Sequence, residues 1–207
     1  MSPRVSEEYK KQKRLDLLQA AKRVFIHKGY TRATMQDILD EAGVSRGALY
    51  AYFDNLEHVY IELLQQEDRQ DVFHFCAEGV GTSWQQLRNW IEKQQKEIEQ
   101  IDQTLVRANL EFFSSYHYRS NKESYPYLTA RYERIVKALT DFFQRGAVQG
   151  EFSPGLPAPS ISRYLVSVVD GLMIQTAHLG SEQTKVAEQM NTLLFTLEQL
   201  LDPVQTK

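Results

Sequence analysis

The stretch MQDILDEAGVSRGALYAYF, Met35–Phe53, decides how the chain folds. Its centre, GVSRG (Gly43–Gly47), matches G-x-S-x-G, the strand–turn–helix elbow that exposes a nucleophilic serine. An elbow needs a β-strand before the serine. MQDILDEA has no period-two alternation and few β-branched residues, so it reads as a helix. No His–Asp pair can be assigned to serve Ser45. A helix, a glycine-containing turn and a short second helix make a helix-turn-helix instead. Ser45 then caps the second helix, its hydroxyl satisfying an orphan backbone N–H or reaching a phosphate.

The flanks support this reading. Leu17, Leu18, Ala21, Val24 and Phe25 form an apolar stripe at helical spacing, and Gly29 is a natural stop. Thr34 reads as an N-cap, with Asp37 three residues on in a loose capping box. The helix that follows carries Met35, Ile38 and Ala42 inward, and Gly43 ends it. Leu49 and Phe53 continue at helical spacing, and Asn55 caps a longer helix beginning near Leu56. Later segments read as helices too, with breaks near Glu78–Ser83, Ile101–Gln103, Tyr118–Pro126 and the Pro/Gly-rich Gln149–Ser160. There is no internal repeat and no convincing strand. The expected fold is all-α: a three-helix helix-turn-helix domain over residues 1–55, then a larger helical domain over 56–207.

Composition narrows the function. The chain has 207 residues, 42% hydrophobic and 25% charged, the proportions of a soluble globular protein. Its one cysteine, Cys76, excludes an intrachain disulfide. The N-terminus, MSPRVSEEYKKQKR, lacks the apolar core of a secretory signal. The most apolar run, Tyr164–Ile174, is short and carries Asp170, so it cannot span a bilayer. A cytoplasmic location is the expectation. The formal net charge is -3, yet residues 1–33 hold nine Lys/Arg against three acids, a net +6. A basic N-terminal face is a candidate phosphate footprint, although most charge runs are solvated helix faces.

Residues Ala33–Leu64, extended back over the basic first helix to about residue 10, resemble the DNA-binding signature of the TetR family of transcriptional repressors. The matching positions are Thr34, Ile38, Ala42-Gly43-Val44-Ser45, Gly47, Leu49-Tyr50, Phe53 and Glu57. The resemblance implies a dimeric, ligand-responsive repressor whose second helix-turn-helix helix enters the major groove of a double-stranded operator. It also implies that Thr34, Ser45, Gly47 and Tyr50 touch DNA phosphates. On the helix so placed, Val44, Leu49 and Phe53 pack inward, while Arg46, Ala48, Tyr50 and Tyr52 face outward. Arg46 is the candidate for a bidentate contact to guanine. Gly47 permits close approach. Met35 and Gln36 lie at a helix N-terminus, where backbone N–H groups favour phosphate. Two positions depart from the family pattern: Tyr52, where His is frequent, and Leu56, where a Lys usually supports a phosphate contact. Arg4, Lys10, Lys11 and Lys13 are the candidates to compensate.

Past residue 64 the resemblance implies a helical ligand-binding and dimerisation domain. Apolar residues on more than one side of Ile161–Leu179 and Val186–Leu201 point to a homodimer through these two helices, with Val169 and Leu197 as candidate interface residues. Aromatic density over residues 83–180 points to a pocket for a small hydrophobic effector, with Trp90, Phe112, Tyr116, Tyr132 and Met173 as candidate lining. No cofactor or metal is expected. His74 and Cys76, two apart on a helix, turn to different sides, and the chain lacks a P-loop, a G-x-G-x-x-G after a strand and an H-E-x-x-H, so an enzyme is not expected. The alternative is a helical adaptor that keeps the helix-turn-helix only for packing. Exposed Arg46, Tyr50 and Tyr52 beside a basic helix argue against it.

Overall fold

A computed structural model of the chain describes residues 6–76, 81–115, 118, 123 and 125–204, and of residues 70–76 and 129 the backbone alone. The described residues form α-helices throughout: α1 Glu7–Lys28, α2 Met35–Ala42, α3 Arg46–Tyr50, α4 Leu56–Cys76, α5 Ser83–Glu99, α6 Val106–Ser114, α7 Pro126–Val148, α8 Ala158–Leu179, the single turn α9 Ser181–Thr184, and α10 Val186–Leu201. A 3-10 turn, Ile101–Gln103, lies between α5 and α6. Among these residues there is no strand, only an isolated antiparallel bridge between Phe152 and Pro203. No described helix is long and apolar enough to cross a membrane.

The chain divides into two compact units. One comprises Met1–Asp68 with Asp102–Tyr116, the other Arg69–Ile101 with His117–Lys207. The expected boundary between residues 55 and 56 therefore falls inside the first unit, which also recruits α6 from much later in the chain. Leu17, Leu18, Ala21, Val24 and Phe25 are buried, as are Ile38, Leu49 and Phe53. Met35 and Ala42, expected inside, are only half-buried. Gly29 ends α1 at φ 74, and Gly43 ends α2 in the left-handed region at φ 62, ψ 36. Both are conformations that glycine adopts without a steric cost.

In the first unit α6 closes a core against α1 and α4. Tyr60 and Phe112, both fully buried, lie 4.9 Å apart between ring centroids and surround themselves with Phe25 and Tyr30. The Tyr60 hydroxyl donates to Asn109 Oδ1 at 2.6 Å, so its burial leaves no donor unmet. Full burial of such a side chain is worth roughly 1.5–3 kcal/mol. The tie has a polar half as well. Arg107 of α6 donates to the carbonyls of Ile26 and His27, two acceptors in the last turn of α1, at 3.2 and 3.0 Å. Glu111 accepts the Thr31 N–H at 2.8 Å. A Cβ on Gly29 would sit 2.5 Å from the Glu111 carboxylate oxygens, so the glycine also makes room for that side chain.

The second unit is built around one apolar cluster from α5, α7, α8 and α10. Leu87, Ile91, Leu139, Phe143, Leu165, Met190 and Leu197 are essentially inaccessible within it. Val169 and Leu197, expected at a dimer interface, are both part of this cluster, 4% and 0% exposed. The second apolar side of each helix is a different set: Tyr164 and Ile174 on α8, and Phe195 on α10, are 42%, 45% and 63% exposed.

The Thr34–Asp37 capping box holds the first turn of α2. The Thr34 hydroxyl accepts the Asp37 N–H at 3.2 Å, and Asp37 accepts the Thr34 N–H at 3.0 Å. Thr34→Ala should cost about 1 kcal/mol in urea unfolding. The Lys28 ammonium above all, and then Thr34, hold the Asp37 carboxyl below its ordinary value. A depressed carboxylate stabilises the fold above its unfolded pKa and loses that contribution as pH falls through the folded one. The stability advantage of wild type over Asp37→Asn should therefore shrink below about pH 4. A constant gap between pH 7 and pH 3 in the same titration would contradict this account.

Candidate nucleic-acid interface

α2 and α3 are joined by three residues, Gly43, Val44 and Ser45. Ser45 accepts the Ala48 N–H at 3.3 Å and so starts α3, as its sequence position requires. Leu49, fully buried, anchors α3 to the core. That anchor turns Arg46, Gly47 and Tyr50 outward, and all three are exposed. A Cβ on Gly47 would meet nothing within 4 Å, so no packing inside the protein demands a glycine there. The missing side chain instead clears the outer surface of α3. The Arg46 guanidinium carbon lies over the Tyr50 ring, 5.3 Å from its centroid.

The other expected contact residues spread around this centre. Thr34 and Gln36 are exposed and Met35 is half-buried at the start of α2. The Gln36 amide donates to Asp40 Oδ1 at 2.7 Å, one turn along. Ala48 and Tyr52, expected to face outward, are half-buried. Tyr52 stands in the turn after α3, its ring 6.4 Å from Phe53. Leu56 is half-buried at the first position of α4.

The basic first helix is less free than its composition suggests. Arg14 binds Glu62 with two nitrogens and lies over Phe53 at 5.5 Å. Lys22 pairs with Glu67 at 2.6 Å, Arg23 with Glu41 at 2.5 Å and Lys28 with Asp37 at 2.6 Å. Lys10 pairs with Glu7 at 2.8 Å, and that bond raises its pKa. The bond to Glu62 likewise raises the pKa of Arg14. Arg14, Lys22, Arg23 and Lys28 clamp α1 to α2 and α4, while the Lys10 pair lies within α1. Lys11 and Lys13 make no ion pair among the described residues, and Arg4 lies outside them.

One cluster escaped the sequence reading. His58 accepts the Asp54 N–H at its Nδ1, 3.2 Å away, while its Nε2 lies 2.8 Å from Glu62 Oε1. Its own N–H is capped by Asn55 Oδ1 at 2.8 Å. With Arg14 on the other side of Glu62, the turn after α3 is tied to both α1 and α4. The Asn55 cap and the four-residue spacing of Asp54, His58 and Glu62 are local signals, whereas Arg14 and Glu62 are 48 residues apart.

The candidate effector residues are divided between the two units. Phe112 is enclosed in the aromatic core of the first unit. Trp90 and Met173 belong to the apolar cluster of the second. Tyr132 is 41% exposed under Arg163, whose guanidinium is 5.8 Å from the ring centroid. Tyr116 and the side chains of His74 and Cys76 lie outside the described residues.

Comparison with known proteins agrees with this geometry. The family pattern described as "Bacterial regulatory proteins, tetR family" matches residues 17–63, and "Tetracyclin repressor-like, C-terminal domain" matches residues 86–187. The HTH-type transcriptional regulator YfiR of Bacillus subtilis is 27% identical over 188 residues, 90% of this chain and 91% of that protein. The HTH-type transcriptional repressor AcnR of Corynebacterium diphtheriae is 22% identical over 180 residues, 86% and 88% of the two chains. The structure of reduced NemR from E. coli shares the fold with a TM-score of 0.72 at 15% identity, covering 94% of this chain and all of that one. A helix-turn-helix pattern at the N-terminus, a TetR-type helical domain after it and relatives matched along most of their length lead to one conclusion: the chain belongs to the TetR family of bacterial regulatory proteins.

Proposed function

We propose that the protein is a homodimeric, sequence-specific repressor that binds double-stranded DNA through α3 and leaves it when a small hydrophobic effector binds. The observation that carries the DNA reading is the outer surface of α3: Arg46 and Tyr50 exposed side by side, with an unfilled Gly47 between them. A helix with such a surface fits the major groove, where arginine reads guanine through its O6 and N7. Thr34, Met35, Gln36, Ser45, Ala48 and Tyr52 surround α3, where phosphate contacts would set the register. Lys11 and Lys13 stand ready to supply the charge that Leu56 lacks.

The dimer reading rests on the outward sides of α8 and α10. Tyr164, Ile174 and Phe195 leave apolar surface on two adjacent helices of the second unit. Two symmetry-related pairs would bury it in a four-helix interface. The effector reading rests on α6. Arg107, Glu111 and Phe112 hold the C-terminal end of α1, so an effector that displaces α6 acts on the helix carrying the DNA-binding head. By linkage, DNA must then weaken effector binding by the same factor.

Selection of duplexes from a random pool, followed by titration of single base-pair variants, tests the DNA reading. Arg46→Ala should lose discrimination at one base pair in each half-site, roughly 1–3 kcal/mol for a good bidentate contact. Tyr50→Phe should weaken binding about equally across sequences. An Arg46→Ala protein with unchanged sequence preference would refute the placement of α3 in the groove.

Light scattering with circular dichroism tests the interface. Phe195→Asp should give a helical monomer, because its ring is largely exposed and lies outside the apolar cluster of the second unit. Val169→Asp should lower the helical signal itself, since it buries a charge in the core. A dimer that survives Phe195→Asp would move the interface elsewhere.

Arg107→Ala, measured on the selected duplex, should change affinity or its response to lipophilic compounds while leaving base preference intact. A shift in base preference would mean that Arg107 acts on α3 rather than through the end of α1.

A further inference from the structure

Two arginines of the head lie over a ring, Arg14 over Phe53 and Arg46 over Tyr50, and they differ in what their donors do. Arg14 and Arg23 commit their N–H donors to Glu62 and Glu41. Arg46 makes no hydrogen bond or ion pair among the described residues, and its guanidinium lies over the Tyr50 ring. An arginine held by a ring is attracted through the face of its guanidinium, while its donors point outward in the guanidinium plane. The contact can thus restrict a long, flexible side chain without using the fork that reads a base. The two residues are four apart, on one side of a single helix. Gly47 has no side chain and Ala48 carries only a half-buried methyl, so neither competes with Arg46 for the ring. Leu49, fully buried, anchors the backbone that carries Tyr50.

We propose that Tyr50 is a positioning residue for specificity: its ring is a platform that holds the Arg46 fork ready for a guanine edge in the major groove, separately from any contact of its hydroxyl with phosphate. The proposal rests on the reading of Arg46 as a base contact. It divides Tyr50 into two functions. The hydroxyl supports affinity for every sequence, and the ring supports discrimination at the one base pair that Arg46 reads. Arg46 without the ring still reaches the groove, but it samples more rotamers and pays that entropy on binding. The same fork is then less selective between guanine and a base to which it makes one bond.

The test uses the full-length protein and duplexes selected by wild type from a random pool. Wild type, Arg46→Ala, Tyr50→Phe, Tyr50→Leu and the Arg46→Ala/Tyr50→Leu double variant are titrated against the selected duplex and each of its single base-pair variants at one salt concentration. Tyr50→Phe is expected to lower all affinities by a common factor and leave every ratio between duplexes unchanged. Tyr50→Leu should narrow the ratio at the Arg46 base pair by about two- to fivefold, the range of an exposed cation–π contact, and leave ratios at other positions alone. In the Arg46→Ala background Tyr50→Leu should have no further effect on that ratio. If Tyr50→Leu does not give the wild-type helical signal by circular dichroism, Tyr50→Gln carries the same comparison. The platform is overturned if the leucine or glutamine variant keeps the wild-type ratio, or if Tyr50→Phe narrows it as much as they do. If Arg46→Ala itself leaves every ratio unchanged, the base-reading function has failed, and the platform falls with it.

Discussion

Four rings, Phe25, Tyr30, Tyr60 and Phe112, meet with centroids between 4.7 and 6.1 Å apart, and the architecture of the first unit follows from their burial. Edge-on, tilted and stacked ring packing of this kind adds a directional preference to the area removed from water. Each ring comes from a different part of the chain: α1, the turn after it, α4 and α6. Once these parts converge, the C-terminal end of α1 is fixed, and the direction in which α2 leaves it follows. α3 is five residues long, too short to be stable by itself. Its position is therefore inherited from the larger helices on which Leu49 and Phe53 rest.

Electrostatics plays a second, more local part. The cations of α1 are mostly committed to Glu41, Glu62, Glu67 and Asp37, which hold α1 against α2 and α4. Partly exposed pairs contribute little individually. Their effect is on geometry: Arg14 and His58 meet at Glu62 and hold the turn that follows α3. A basic helix can thus look like a phosphate footprint in its composition and serve as a scaffold in the structure. The surface left for DNA is narrower and less charged than a count of lysines and arginines implies.

Much of the fold was legible because its signals are local. The 17–18–21–24–25 stripe, the Thr34–Asp37 box, the Gly43 stop, the Ser45 cap and the Asn55 cap each involve residues within one or two turns. The departures share a different cause. Apolar residues on two sides of α8 show that two surfaces are covered, but periodicity cannot say which side faces the chain's own core. Val169 and Leu197 lie inside the chain's own core, and Tyr164, Ile174 and Phe195 are the residues left outside. The enclosure of Phe112 by Tyr30 and Tyr60 is likewise hidden from periodicity, because those partners lie far away in sequence. The placement of α6 in the first unit has the same origin, since no pattern within Val106–Ser114 announces that Arg107 and Glu111 finish α1.

That last feature bears on modularity. Helix-turn-helix heads invite grafting, in which a DNA-reading segment is cut from one regulator and joined to the sensor of another. Here the head is not a continuous stretch of polypeptide. A cut at residue 55 would strip away Tyr60, Asn109, Arg107, Glu111 and Phe112 together, leaving Phe25 uncovered and the end of α1 without its acceptor-satisfying arginine. A graft that preserves the fold of the head must carry residues 102–116 along with residues 1–68, so the transferable piece is discontinuous, and the unit of exchange in this chain is larger than the motif that names it.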